Sequence, residues 1–420
     1  MKRTLAEWLV YQEQVNVRSI ELGLDRVREV WQRMGAPRPA PLVITVGGTN
    51  GKGSTVALLE AMLRAAGYRV GCYTSPHLLA YNERIRIDGA DADDDSLIAS
   101  FERIESARGE IPQTYFEFGT LAALDLMARS AMDVAVLEVG LGGRLDAVNI
   151  VDADAVVVTT VDLDHQDWLG NDRDSIGREK AGIARAGQPA VVGEASPPPG
   201  LLDALAAIGA IVLRAGVDYR VERDPEGWRW IGEGVSLSLP DPALAAPCQH
   251  DNAAAAVAVL RALGARLDVP LQALAEGLRQ VRVPGRLQVV AGTPALVVDV
   301  GHNPQAARAL AAWLDERDGR GQVHAVYGAL SDKDVAGVIG ALGARIDHWH
   351  LAGLERDTPR GLPASLLAAS LAGTLPLARH DEHGDVAAAL AAARLAAGPD
   401  DLILAFGSFF VAAAALGNLA

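Results

Sequence analysis

Aromatic residues make up only 5% of this 420-residue chain, so any large core has to be aliphatic, built from Ala, Leu and Val. Cysteine is scarcer still. Cys72 and Cys248, far apart, form neither a disulfide framework nor a zinc site; they read as two reduced, buried thiols of a cytosolic protein. Long hydrophobic runs are also missing, and none reaches the ~18–20 residues that cross a bilayer. The N-terminus, MKRTLAEWLVYQEQ, starts basic but carries Glu7 and Gln12 inside its apolar part, so it lacks a signal-peptide core. Positive charge is short as well: 38 Lys and Arg against 53 Asp and Glu give a net charge of -15. Such a surface repels polyphosphate backbones and excludes nucleic acid as a partner. The expectation is a cytoplasmic monomer acting on small molecules, with the cations that handle anions gathered at a few Lys and Arg positions.

What the chain does have is apolar bulk. Half of its residues are hydrophobic, and at roughly 100–200 residues per domain its length allows two or three domains. Leu42–Val46 reads as a strand, 54–66 as a helix that Gly67 stops, and 68–74 as a second strand. The runs 134–137 and 155–161 are continuously apolar, as in strands buried on both faces of a parallel sheet. The stretch 217–239 alternates apolar and polar residues and reads as a small antiparallel appendage. Pro284-Gly285 breaks the pattern, and strand and helix runs resume at 296–300, 323–327, 346–351 and 402–406. The fold class is therefore α/β: a P-loop-type, mostly parallel sheet in a large N-terminal domain, residues 1–290, with a second, smaller Rossmann-like α/β domain, residues 291–420.

Between the first strand and the first helix of that pattern lies Gly47-Gly48-Thr49-Asn50-Gly51-Lys52-Gly53-Ser54-Thr55. Glycines allow a tight turn whose N–H groups point at one phosphate, and the helix aims its positive dipole end at the same place. Lys52 adds a full charge. Gly53 stands where the usual P-loop pattern has Ser or Thr, and a generic glycine-rich turn is the plain alternative. Ser75, Glu138 and His165 each sit at or just past the end of a strand, where ligands of open α/β sheets bind. A hydroxyl and a carboxylate suit magnesium, which prefers oxygen ligands. Taken singly, each of the three is more often a cap, a turn or a hydrogen-bonded loop group.

GTNGKGS (Gly48–Ser54) resembles the ATP loop of the folate-type ligases of the Mur ligase superfamily. So do TSPHL (Thr74–Leu78), TYFEFGTLAAL (Thr114–Leu124), LEVGLGGRLDAVNIV (Leu137–Val151), DHQDWLG (Asp164–Gly170), GREKAGI (Gly177–Ile183), PGR (Pro284–Arg286) and DVGHNP (Asp299–Pro304), in family order along nearly the whole chain. The resemblance implies an ATP-dependent acid–amino-acid ligase that adds L-glutamate to dihydropteroate and to tetrahydrofolate through an acyl phosphate. It implies that Thr49, Asn50, Gly51, Lys52, Gly53, Ser54, Asn252, Arg286 and Asp299 contact ATP. Ser75 and Glu138 serve one Mg²⁺ and His165 a second. Lys180 would be carbamylated, which exchanges an ammonium for a two-oxygen anion beside the metals, and His302, next to Asn303, would reach phosphate or substrate and join Lys52 and Lys180 in catalysis. Gly301 stands where the family usually has Ala. The pterin-side pocket is expected from Ile20, Glu21 and Leu22, from Thr114, Tyr115, Phe116 and Glu117, and from Arg144 and Leu145. Plain helix packing explains Tyr115 and Phe116 equally well, and the two readings are compatible. The rivals are a ligase confined to glutamate-chain extension, another Mur-type ligase, and a P-loop ATPase. A dinucleotide-binding module is disfavoured because no G-x-G-x-x-G comes after the first strand.

Overall fold

The structure, a computed structural model, describes residues 3–16, 18, 20–224, 227–317 and 321–417. It divides into two compact units: residues 1–243 with 250–281, and residues 244–249 with 282–420. The divide thus falls just before the Pro284-Gly285 break, and the segment leading into the helix Gln249–Leu263 packs with the second unit. No helix among the described residues is long and apolar enough to cross a membrane.

The first unit is built on eight strands: β1 (Leu42–Gly47), β2 (Val70–Tyr73), β3 (Ile85–Ile87), β4 (Ala90–Asp91), β5 (Val134–Glu138), β6 (Ala155–Val158), β7 (Pro189–Val192) and β8 (Ile211–Arg214). Their order is β4-β3-β2-β5-β1-β6-β7-β8. From β2 to β8 all neighbours are parallel, and the antiparallel pairings are those of β3 with β2 and with β4. The Val-rich runs are buried along their whole length in β1, β2, β5 and β6, because helices cover both faces and alternation has no polar side to serve. One face holds Tyr73, Phe118, Leu121 and Leu137; the other holds Val156, Val158, Ile176 and Ile183. The helix Tyr115–Arg129 is capped by Thr114 and Glu117 in a reciprocal box.

Pairing brings Val46 opposite Glu138, Gly47 opposite Val158 and Tyr73 opposite Leu137. The carboxyl ends of β1, β2, β5 and β6 are thereby level, and the loops leaving these strands emerge at one edge. β6 stops at Val158, short of the apolar run read to 161, because Thr159 and Thr160 leave the ladder to bond the loop after β1. The alternating stretch forms a separate sheet of β9 (Tyr219–Asp224), β10 (Gly227–Gly232) and β11 (Val235–Leu239). Its buried Trp230 donates Nε1–H to the Ala254 carbonyl at 3.1 Å. Cys72 is buried in β2, whereas Cys248 is exposed, contrary to expectation; it lies in the turns just before the helix Gln249–Leu263.

The second unit carries β12 (Gln288–Val290), β13 (Ala295–Val298), β14 (Val323–Tyr327), β15 (His348–Ala352), β16 (His380–His383) and β17 (Leu402–Phe406), in the order β12-β13-β17-β14-β15-β16. Only β12 is antiparallel. Trp349, Tyr327, Leu404 and Phe406 fill one face of this sheet.

Candidate active site

The loop after β1 is held in shape by its own backbone and by two threonines. Gly48 and Gly51 take φ 143° and φ 86°, values that favour glycine. A side chain at Gly48 would overlap the Thr159 hydroxyl, and one at Gly51 would run into the Asn252 amide. Thr159 donates its hydroxyl to the Asn50 carbonyl at 2.6 Å, and the Asn50 N–H donates to Thr160 Oγ1 at 3.1 Å. Thr49 N–H donates to the Thr160 carbonyl at 2.8 Å. Thr49 Oγ1 bonds both ways with the backbone of Asp162, at 3.1 and 3.0 Å. Lys52 Nζ donates to the Thr49 carbonyl at 3.1 Å, folding its side chain over the loop. No side chain caps the helix Lys52–Ala65, so its positive end is turned to the loop rather than to a cap. Glycines at two forced positions, a lysine folded over them and an uncapped helix end together form an anion cradle.

Beside the loop, the Ser75 N–H donates to the carboxylate of Glu138 at 3.2 Å, so these two expected metal residues meet; Glu138 is buried. His165 comes after the segment that Thr49 holds through Asp162; it takes φ 52° and stands just before the short helix Gln166–Leu169, making no side-chain capping bond to it. Lys180, on the helix Arg173–Ala181, is buried. Burial first, and then the charge of nearby Lys52, pushes its ammonium down to about 7, while Asp164, Asp146 and Glu194 pull the other way. Buried Asp146 is raised to about 6 by desolvation, although it accepts N–H bonds from Leu141 at 2.8 Å and Val148 at 3.0 Å. Glu194, raised to about 7 chiefly by burial, accepts from the Val161 N–H at 3.1 Å and from Arg173 at 2.9 Å. Arg173 also donates to the Val161 carbonyl at 2.7 Å. This pair fixes the start of the segment leading to His165. Sequence reading missed Thr159, Thr160, Arg173 and Glu194, none of which lies in a motif it singled out; Asp146 entered it only as the end of the loop 143–146 beside the pterin-side segments.

The expected pterin-side segments also lie together. Arg26 donates to the Glu21 carbonyl at 2.8 Å and to Glu117 at 3.0 Å, and Gly23, next to Ile20–Leu22, donates its N–H to the Leu145 carbonyl at 3.3 Å. Glu117 is raised by burial, with Thr114 and Arg26 opposing. Phe116 packs so closely on Gly140 that any side chain there would strike its ring, and its ring lies 5.9 Å from that of Tyr73. Tyr115 meets Tyr81 edge to face at 5.6 Å, with Arg84 over both rings. Arg144, expected at the substrate, holds Glu179 at 2.8 Å, one residue from Lys180.

In the second unit the expected nucleotide residues form a cluster of their own. Buried Asp299 accepts N–H bonds from Leu287 at 2.9 Å and Gly301 at 2.7 Å; burial raises its carboxyl and Arg286 opposes. Arg286 lies over the Phe409 ring at 5.8 Å, and His302 lies 6.5 Å from the same ring. His302 Nδ1 is 3.0 Å from the Val300 carbonyl. A carbonyl can only accept, so that nitrogen carries a proton. Asn303 caps the helix Pro304–Asp315.

Parallel sheet, phosphate cradle and strand-end carboxylate define a nucleotide-dependent enzyme of the Mur ligase type. Residues 46–193 match the Mur ligase middle domain, and residues 285–409 the Mur ligase glutamate ligase domain. The chain belongs to the Mur ligase family, in the dihydrofolate synthase/folylpolyglutamate synthase group. It is 46% identical over 410 residues to the dihydrofolate synthase/folylpolyglutamate synthase of Escherichia coli, covering 97% of this chain and 94% of that protein. Among solved structures, the E. coli FolC in complex with DHPP and ADP superposes with a TM-score of 0.94 at 45% identity, over 99% of this chain and 98% of that one. A bifunctional folylpolyglutamate synthase/dihydrofolate synthase with Mn, AMPPNP and L-glutamate bound gives a TM-score of 0.91 at 46% identity, over 99% and 98%.

Proposed function

We propose that this chain is an ATP-dependent amide ligase that adds L-glutamate to dihydropteroate, giving dihydrofolate, and to tetrahydrofolate, lengthening its glutamate tail. The observation that carries the reading is the loop after β1, shaped by Thr159 and Thr160, at the same sheet edge as the Ser75–Glu138 pair. Full-length identity of 46% to a protein bearing both activities supports the bifunctional reading over chain extension alone.

A carboxylate is a poor acyl donor. The γ-phosphoryl of ATP passes to the substrate carboxylate, giving an acyl phosphate and ADP; the glutamate amine then attacks the acyl carbon, an amide forms, and phosphate leaves. The loop N–H groups and Lys52 are suited to hold the transferred phosphoryl while its charge spreads over the outer oxygens. The hydroxyl of Ser75 and the buried carboxylate of Glu138 are hard oxygen donors that fit Mg²⁺, and His165 with Lys180 as its carbamate fits a second ion. Magnesium bound there supplies positive charge to the phosphoryl oxygens. A neutral amine reacts with CO₂, and burial together with the neighbouring charge of Lys52 favours that form of Lys180. Asn252 supports the loop through Gly51, and Arg286, Asp299 and His302 are assigned to nucleotide and catalysis in the second unit. The segments around Ile20–Leu22, Thr114–Glu117 and Leu145 are assigned to the pterin. We read the enzyme as a cytoplasmic monomer with small-molecule partners; its net charge of -15 argues against nucleic acid.

ADP release tests the assignment. With Mg²⁺ and ATP, release should require glutamate together with either dihydropteroate or tetrahydrofolate. Glutamate-independent release of the same rate would make it an ATPase; activity with tetrahydrofolate alone would make it a chain-extending ligase. Gly48→Ala is expected to weaken ADP binding roughly tenfold, since a strained backbone site costs about 1–3 kcal/mol. Calorimetric titration with ADP reads this directly, and unchanged affinity would remove the loop from the nucleotide site.

A further inference from the structure

Five of the nine histidines of the chain fall between residues 324 and 383, and three of them meet on one face of the second sheet. His324 of β14 pairs in register with His348 of β15, and His350 lies two residues on, so all three side chains leave the same side. Each ring is buried, at 1%, 2% and 1% exposure respectively. One ring nitrogen from each lies within 4.8 Å of the others. His324 Nδ1 and His350 Nε2 are 3.2 Å apart, and the ring centroids of His348 and His350 are 4.2 Å apart.

Hydrogen bonding inside the cluster leaves it incomplete. His348 Nδ1 and His350 Nδ1 are buried with no hydrogen-bond partner, and so is His324 Nε2. Buried polar atoms are nearly always paired, so the orphan Nδ1 of His348, whose Nε2 is held by Asp381, calls for an explanation. Protonation does not supply it: burial, then the neighbouring His348 and His324 rings, holds His350 down to about 4, and burial also lowers His348. Both shifts favour the neutral imidazole, the form that binds metals.

The outer nitrogens carry a second signature. His348 Nε2 lies 2.8 Å from Asp381 of β16, and His324 Nε2 lies 3.6 Å from Asp401, just before β17. At His348 the carboxylate on the outer nitrogen turns the other nitrogen inward with its lone pair exposed, the usual arrangement behind a metal-bound histidine; at 3.6 Å, Asp401 is an electrostatic neighbour of His324 and not a hydrogen-bond partner. For Zn–N bonds of ~2.0–2.1 Å in a tetrahedron, ligand nitrogens stand about 3.3–3.4 Å apart. The His324–His350 separation is already close to that, and the His348 nitrogen lies within 4.8 Å of both.

We propose that His324, His348 and His350 form a binding site for one Zn²⁺ ion, with water completing the tetrahedron. Three imidazoles and no oxygen donor select zinc over magnesium. His324 is the second residue of β14 and His348 the first of β15, so the site lies at the amino ends of the strands. Asp299 and His302 lie past the carboxyl end of β13, at the other edge of the same sheet. The ion therefore ties β14 to β15, and through Asp381 to β16, and takes no part in ligation.

The full-length chain, freed of metal with EDTA and dialysed against Zn²⁺ in excess Mg²⁺, should retain one equivalent and melt at a higher temperature than the metal-free form. Co²⁺ in its place should give the visible bands of a tetrahedral nitrogen site. His350→Gln should lose affinity by more than the roughly 10–100-fold that an outer-shell change costs. Asp381→Asn, at an exposed carboxylate, should lose about 10–100-fold without disturbing the fold. His165→Ala should keep the equivalent, which separates this site from the Mg²⁺ positions. No zinc retained in excess Mg²⁺, or equal retention by His350→Gln and Asp381→Asn, would overturn the proposal.

Discussion

Lys52→Ala should lower turnover about 10³-fold or more, the scale seen when a positive group that stabilises a transferred phosphoryl is removed, while the thermal midpoint stays near that of the parent. The expectation rests on where the side chain is. Lys52 opens the helix that the loop feeds, and its ammonium bonds the loop's own Thr49 carbonyl at 3.1 Å. It fills no core, so its loss leaves no cavity. Its charge is also felt at Lys180, whose ammonium it helps to depress. The assay is ADP release with dihydropteroate, glutamate and Mg²⁺, beside a melt followed by circular dichroism. Turnover within a few-fold of the parent would show that this loop does not hold the reacting phosphate.

The second large effect concerns Lys180. As an ammonium it would sit buried beside Lys52, an arrangement desolvation and repulsion both oppose. As an amine it can add CO₂, releasing one proton and leaving a carbamate. Lys180→Ala is expected to cost about 10²–10³-fold in kcat, comparable with losing one electrostatic contact at a reacting centre. Added acetate should restore part of it by occupying the vacated anion position, whereas Lys180→Arg, permanently cationic, should not respond. With ¹³C-bicarbonate the parent should show a carbamate carbonyl resonance that Lys180→Ala lacks. Full activity in the alanine variant and no such resonance in the parent would end the idea. The sign of the pH dependence is fixed too. For the unmodified lysine, the folded value of about 7 lies below the unfolded 10.5. The unfolded chain then holds the extra proton between those limits, and stability rises with pH across that window. Carbamylation, by removing the basic amine, should flatten the rise.

The strands β14 and β17 could be read off to the residue because both are short apolar runs between polar turns. The loop was legible for a different reason: Gly48, Gly51 and Lys52 are local, and a strand before and a helix after restrict what such a run can be. Ser75 and Glu138 could be placed at strand ends, since parallel strands level their carboxyl ends. The end of β6 misled because Thr159 and Thr160 have good strand propensity, and only the loop across from them turns their hydroxyls to another task. Glu194 and Arg173 left no trace in sequence, being charged residues 21 apart with no periodic pattern between them. The histidine cluster was invisible for a related reason. The spacing of His348 and His350 puts two rings on one face, but His324 joins them only through the register of β14 on β15. Arg144 shows a partner that its motif did not reveal, since Glu179 reaches it only through the packing of the helix Arg173–Ala181.

The hydrogen bonds between the loop after β1 and Thr159, Thr160 and Asp162 fix its curvature within the chain itself. The entropy of arranging those amides is lost once, when the polypeptide folds, and not again each time a nucleotide arrives. If this loop is the nucleotide cradle proposed above, it meets its ligand already shaped, and binding energy is not drawn on to order it.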